Sequence, residues 1–288
     1  MQNSCTDALP KFSAHINAMA HLFCHRSPSE EPHANRSAAF SRLMAESFLY
    51  HGSLLMLFDH NFDPFHHVRL LPNLQHYLQQ GSDEQCAPEN TSERFVSPIL
   101  LAPYPFYFLI ADITRFSITS ASKSRADEAC TWHMLDQRLL AFERRSLHGE
   151  GDRNPSKLHL LAARALISKP SMQPTDIESW IPLDAIMDQS LEEFVLAEAE
   201  GTFTSYSLWP LVVLGSMATS FHEIELVRGL IQKIAKNKQN ELSQWIIRRL
   251  EDIWNRTASS WMLQEDQLLA GLCLLTHGES LDSTLMIV

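Results

Sequence analysis

The chain has little glycine, with nine in 288 residues, and it has no cysteine pair. Few glycines beside many Leu, Ala, Met, Gln and Glu favour helix over sheet. No alternating strand pattern and no Asn-Gly or Gly-Asn hairpin turn is present. The five cysteines, Cys5, Cys24, Cys86, Cys130 and Cys273, are odd in number and nowhere closer than nineteen residues. That spacing predicts free thiols in a reducing compartment and excludes a contiguous zinc cluster, which needs closely spaced Cys or His pairs. Basic residues are also in deficit, 23 against 34 acids, for a formal charge of −11. Nucleic-acid binding rests on basic patches that displace counterions, so this chain's overall field argues against it. Glycine-rich phosphate loops and dinucleotide fingerprints are missing as well. The longest uncharged apolar run, Leu208 to Phe221, is fourteen residues, which suits a buried helix and is too short to span a bilayer. Asp7, Pro10, Lys11 and several His interrupt the first thirty residues, so no signal peptide is expected. Together these features predict a soluble, intracellular protein.

What is present is apolar helix. Hydrophobic residues make up 45% of the chain and charged residues 20%, enough for a large core. Three- and four-residue apolar spacing predicts helices over 3–25, 36–58, 68–80, 97–118, 126–147, 157–168 and 183–200, and again over 261–275. Ser97 followed by Pro98 reads as a helix start. Segment 207–254 reads as three consecutive helices, SLWPLVVLGSMATS, FHEIELVRGLIQKIAKNK and QNELSQWIIRRLEDIW. The first is apolar on every side and must be wrapped by others. The expected fold is all-α, a multi-helix array in a single large helical domain. Residues 1–35 form an N-terminal helix and loop, 36–275 the helical domain and 276–288 a tail.

Chemistry-bearing residues are sparse. His60, His66 and His67 lie with Asp59 and Asp63 around one loop. Metal sites on helices favour His at i, i+4 or a His-Glu-x-x-His run, and this loop has neither, so it reads as a polar, His-rich loop. Cys24-His25 lacks a second pair at finger spacing. Ser53 lacks the glycines of a nucleophile elbow. Arg228, Lys233, Lys236, Lys238, Arg248 and Arg249 are interleaved with Glu223, Glu225, Glu241, Glu251 and Asp252, the pattern of a solvated helical face. The six tryptophans and 15 phenylalanines read as core, with an apolar-ligand pocket as the minority reading. No catalytic, cofactor-binding or metal-binding residue is assigned on this basis.

Several segments in order resemble one family. Trp209-Pro210-Leu211 with Gly215, then Glu225 with Arg228, then Leu250-Glu251 with Trp254, resemble the C-terminal part of the fungal-specific transcription factor regulatory domain. AESFLYHGSLLMLFD resembles that family's Tyr-His and Leu-Phe-Asp segment. SPILLAPYPFYFLIADITRF, with Thr114-Arg115, resembles its proline-containing helix, and LHLLAARALI its short Leu-Ala-Ala helix. The resemblance covers roughly residues 36 to 256. It implies an all-α regulatory domain of a fungal zinc-cluster regulator, in the nucleus or alternatively the cytoplasm. Such a domain acts on a metabolic or secondary-metabolite pathway through the transcription machinery, a full-length regulator or a small hydrophobic ligand. The family's six-cysteine zinc cluster is absent, with no Cys-x-x-Cys anywhere, so direct DNA contact is not expected of this chain.

Two other functions fit the same scaffold, since function lives in the site and not the fold. One is a cyclase or isomerase for a hydrophobic metabolite. Its first candidates are the His and acidic residues of 59–67, or Tyr104 and Tyr107. The other is a non-catalytic protein that titrates full-length regulators.

Overall fold

The computed structural model describes residues 8–25, 35–59, 61–79, 104–119, 125–147, 157–168, 182–201, 203–238, 241–258 and 264–277. The described residues form eleven α-helices and no strand. These are α1 (Ala8–His25), α2 (Asn35–Met56), α3 (Leu70–Gln79), α4 (Tyr104–Thr119), α5 (Arg125–Leu147) and α6 (Lys157–Ile167). They continue with α7 (Leu183–Glu200), α8 (Leu208–Ser216), α9 (Phe221–Lys238), α10 (Glu241–Ala258) and α11 (Gln264–His277). The expected Ser97–Pro98 start, residues 81–94, His60, Trp180 and Trp261 lie outside the described residues.

The architecture is built around α8. All nine of its residues are buried, and α2, α6, α9, α10 and α11 pack around it. Each fully buried Leu or Val here is worth about 1.5–3 kcal/mol. The C-terminal end of α8 is crowded by α11. A Cβ on Gly271 of α11 would lie 1.9 Å from the Ser216 carbonyl oxygen, so only glycine lets α11 pass this close. Ser220 and Glu223 then start α9 as a capping box. The Glu223 amide donates to Ser220 Oγ at 3.3 Å, and Glu223 Oε2 accepts from the Ser220 and Thr219 amides at 3.1 and 2.8 Å.

The outer helices join the same core. In α1, Ile16, Met19 and Phe23 are buried, and the helix packs on α2, α3 and α10. In α10, Leu242, Ile246, Leu250, Ile253 and Trp254 form the buried stripe. Gly201 ends α7 at φ 68°, a left-handed conformation that glycine adopts without a Cβ penalty. No helix among the described residues is long and apolar enough to cross a membrane.

Two charged clasps hold helices at fixed angles. Arg164 of α6, only 4% exposed, pairs with buried Asp136 and makes a two-point contact with Glu143, at 3.2 and 2.7 Å, both on α5. The Trp132 indole donates to the Ile167 carbonyl at 2.7 Å in the same interface. Arg138 of α5 reaches Asp112 of α4 at 2.7 Å.

Candidate functional site

The sequence candidates are dispersed. Asp63 pairs with Arg115 of α4 at 3.0–3.1 Å, and the Arg115 guanidinium lies 5.7 Å from the centre of the Phe65 ring. Phe62 and Phe65 are buried, and a Cβ on Gly52 would meet the Phe65 ring at 2.7 Å. The 59–67 segment is therefore anchored by its aromatics against α2. His66 and His67 point outward and are exposed. Tyr107 is buried on the same helix as Arg115, but eight residues away, about 12 Å along the axis. Asp63 and the tyrosines thus belong to opposite ends of α4. Ser53 donates its hydroxyl to the Leu49 carbonyl at 2.8 Å and is buried, a helix-backbone contact and nothing more.

Three basic residues of α9 and α10 are tied to carboxylates. Arg228 pairs with Glu225 and, at 3.3 Å, with Glu251, and lies 5.5 Å from the centre of the Trp254 ring. Lys233 pairs with Glu198 of α7, and Arg249 with Asp252 at 3.1 Å. Three tryptophans serve the core: besides Trp132, Trp254 donates to the Gly215 carbonyl at 2.8 Å and Trp209 to Thr114 Oγ1 at 3.3 Å.

One group of polar and aromatic side chains does converge, at the entry to α8. Thr204 caps a 3-10 turn, Ser205–Ser207, that leads into the helix. The buried hydroxyl of Tyr50, from α2, accepts the Trp209 amide at 2.8 Å and donates to the Ser205 carbonyl at 3.2 Å. A helix's first four amides have no partner within the helix, and Ser207 makes no side-chain cap here. Tyr50 thus caps α8 from a distant helix. Thr114 of α4 takes the Trp209 indole, and the His159 ring of α6 lies parallel to that indole, 6.0 Å away with a 4° interplanar angle. His159 Nε2 contacts the Tyr206 carbonyl at 3.2 Å. The rings of Tyr50 and Tyr206 meet edge to face at 5.1 Å, with His51 6.0 Å from Tyr206.

The outer half of this cluster is polar. Glu46, fully buried, pairs with Arg42 at 3.1 Å. Partial burial, helped by the Glu46 carboxylate, raises the Tyr206 hydroxyl above its ordinary pKa, and a hydrogen bond with Ser47 opposes the rise. Complete burial drives Tyr50 further in the same direction. His51 Nδ1 lies 2.8 Å from the Ser47 carbonyl and 3.2 Å from its Oγ. A carbonyl oxygen only accepts, so the shorter contact places the proton on Nδ1. That nitrogen then cannot take a proton from Ser47, and the pair is no nucleophile and base. The cluster positions α8 and presents a half-buried tyrosine. It carries no nucleophilic dyad.

Sequence reasoning quoted Tyr50, His51, Thr114, His159 and Trp209 inside separate segments without joining them. It also passed over His21 and His25, which stand at i, i+4 on α1 with ring centres 4.2 Å apart. Their spacing was the legible signal. Among the described residues, no three His, Cys, Asp or Glu side chains gather as a metal cluster.

Comparison of the chain with protein-family models, curated proteins and solved structures returned no match in any of the three.

Proposed function

We propose that the chain is a regulatory domain of the fungal zinc-cluster regulator type that acts without a zinc cluster of its own. In this reading it regulates a metabolic or secondary-metabolite pathway through protein partners or a small hydrophobic ligand. The supporting observation is that the segments carrying the resemblance meet in one place. Tyr50 from the Tyr-His segment, Thr114 from the proline-containing helix and His159 from the Leu-Ala-Ala helix all contact Trp209 or the turn before it. Trp254, Gly215, Arg228 and Glu251 interlock at the other end of α8. Several residues within the segments that carry the resemblance thus help to fix the central helix.

The site chemistry agrees with a scaffold role. The buried polar groups at α8 are engaged in holding helices, and the acid and tyrosine candidates for catalysis sit at opposite ends of α4. The net charge of −11 suits a domain that leaves DNA contact to another module. The enzyme reading keeps one foothold, the half-buried Tyr206 beside Ser47, a single acid–base group where an isomerisation needs one or two. Gene deletion followed by transcript and metabolite profiling separates the two. Regulation predicts altered transcripts of a defined set of pathway genes. Accumulation of one biosynthetic intermediate with unchanged transcripts overturns it.

A further inference from the structure

The last turn of α1 presents two imidazoles on one face. His21 and His25 are both exposed, one turn apart, with ring centres 4.2 Å apart and planes tilted by 43°. Residues at i and i+4 stack along a helix face, the spacing by which helical histidine pairs hold zinc. A tetrahedral ion about 2.0–2.1 Å from one nitrogen of each ring holds the ring centres roughly 5 Å apart, so these exposed rings reach it by turning slightly away from each other.

The backbone beneath the pair is fixed. On the opposite face Phe23 is buried between Phe48 and Tyr77, with ring centres at 5.5 and 5.4 Å. Asn73 of α3 donates to the Phe23 carbonyl at 2.8 Å, tying down the same turn. Because that turn is the C-terminal one, the helix dipole places partial negative charge there, which favours a bound cation.

We propose that His21 and His25 form a two-point site for a borderline transition-metal dication, of which zinc is the representative, with water completing the coordination. Imidazole donors select zinc, copper or nickel over magnesium and calcium, which take oxygen. Cys24 is not a third ligand. It packs against the hydrophobic core instead of joining the exposed imidazole face. Binding clamps the end of α1 by bridging its last two turns. This site is independent of the regulatory reading above.

The test uses the full chain, stripped of metal with a chelator and titrated calorimetrically with zinc. The wild type should take up one equivalent at this site. His21→Ala and His25→Ala should each weaken that uptake at least ten-fold, and His15→Ala, exposed on the same helix, should leave it unchanged. Zinc should raise the melting temperature of the wild type and of His15→Ala but of neither other variant. Magnesium should do nothing. Circular dichroism confirms that the surface variants are folded. Equal zinc binding by the wild type and His21→Ala, or an equal loss in His15→Ala, overturns the proposal.

Discussion

Replacing Tyr50 by Phe removes one oxygen and keeps the ring. The ring's edge-to-face contact with Tyr206, at 5.1 Å, survives. The Trp209 amide loses its acceptor at 2.8 Å and the Ser205 carbonyl its donor at 3.2 Å. Trp209 is fully buried, so water does not replace the missing partner. Leaving one buried amide unsatisfied costs about 1–3 kcal/mol. At about 2–4 °C per kcal/mol for a large domain, the melting temperature should fall by roughly 2–12 °C. Tyr50→Ala, which also opens a cavity, should cost more, about 3–5 kcal/mol as for a large aromatic.

The pH dependence gives a second handle on the same oxygen. Burial raises the folded-state pKa of Tyr50 above its unfolded value of about 10. A raised pKa means that the neutral phenol's contribution is fully present below about pH 10 and is lost as pH climbs toward the folded value. Wild type should therefore lose stability more steeply than Tyr50→Phe above pH 10, and the gap between them should close. Tyr206 shifts in the same direction but is present in both proteins, so it does not affect the difference. Thermal melts and urea titrations at pH 8 and at several values between 9.5 and 11 are sufficient. A Tyr50→Phe protein within 0.5 kcal/mol of wild type at pH 8, with the same alkaline slope, would refute the capping argument.

Glycine substitutions should divide by what a Cβ meets. Gly271→Ala places it 1.9 Å from the Ser216 carbonyl and should destabilise by about 1–3 kcal/mol or more, whereas Gly229→Ala, inside α9 with nothing within 4 Å, should stabilise by about 0.5–1 kcal/mol in denaturant melts. Arg164→Met leaves Asp136 buried without its partner and should cost about 3–5 kcal/mol, while replacing Arg164, Asp136 and Glu143 together by apolar residues should recover most of the loss. Asp63→Asn, at a half-exposed ion pair, should change stability by no more than about 1 kcal/mol.

The helices were largely legible because periodicity is a local property. The sequence spacing predicts α7 at 183–200, the span observed. The buried face of α10 is also readable, since Ile246, Leu250, Ile253 and Trp254 fall at steps of three and four. Pattern reading fails where apolar residues run together. In α7, Val195 and Leu196 continue the apolar run from Phe194, yet these are 55% and 47% exposed, and Met187 and Ser190 take the inner positions. In α1, Leu22 stands outside and Phe23 inside for the same reason. Two adjacent residues lie about 100° apart on a helix, so where the buried stripe is narrow one of them is left outside.

Contacts between distant segments were not legible. Tyr50 and Trp209 are 159 residues apart, and nothing in either segment names the other. Arg164 sits in LHLLAARALI, where an amphipathic pattern predicts an exposed basic residue, and its burial depends on carboxylates 28 and 21 residues upstream. The segments that hold Trp209 and Trp254 do not say what these side chains touch. The structure supplies that part: Trp209 and Trp254 are the two ends by which α8 is held.

The regulatory reading is tested most directly by rapid depletion of the protein, with nascent transcripts and metabolites followed in time. The account predicts that transcription of a defined gene set changes first and that metabolite levels follow. Early accumulation of a single intermediate, with nascent transcripts unchanged, would contradict it.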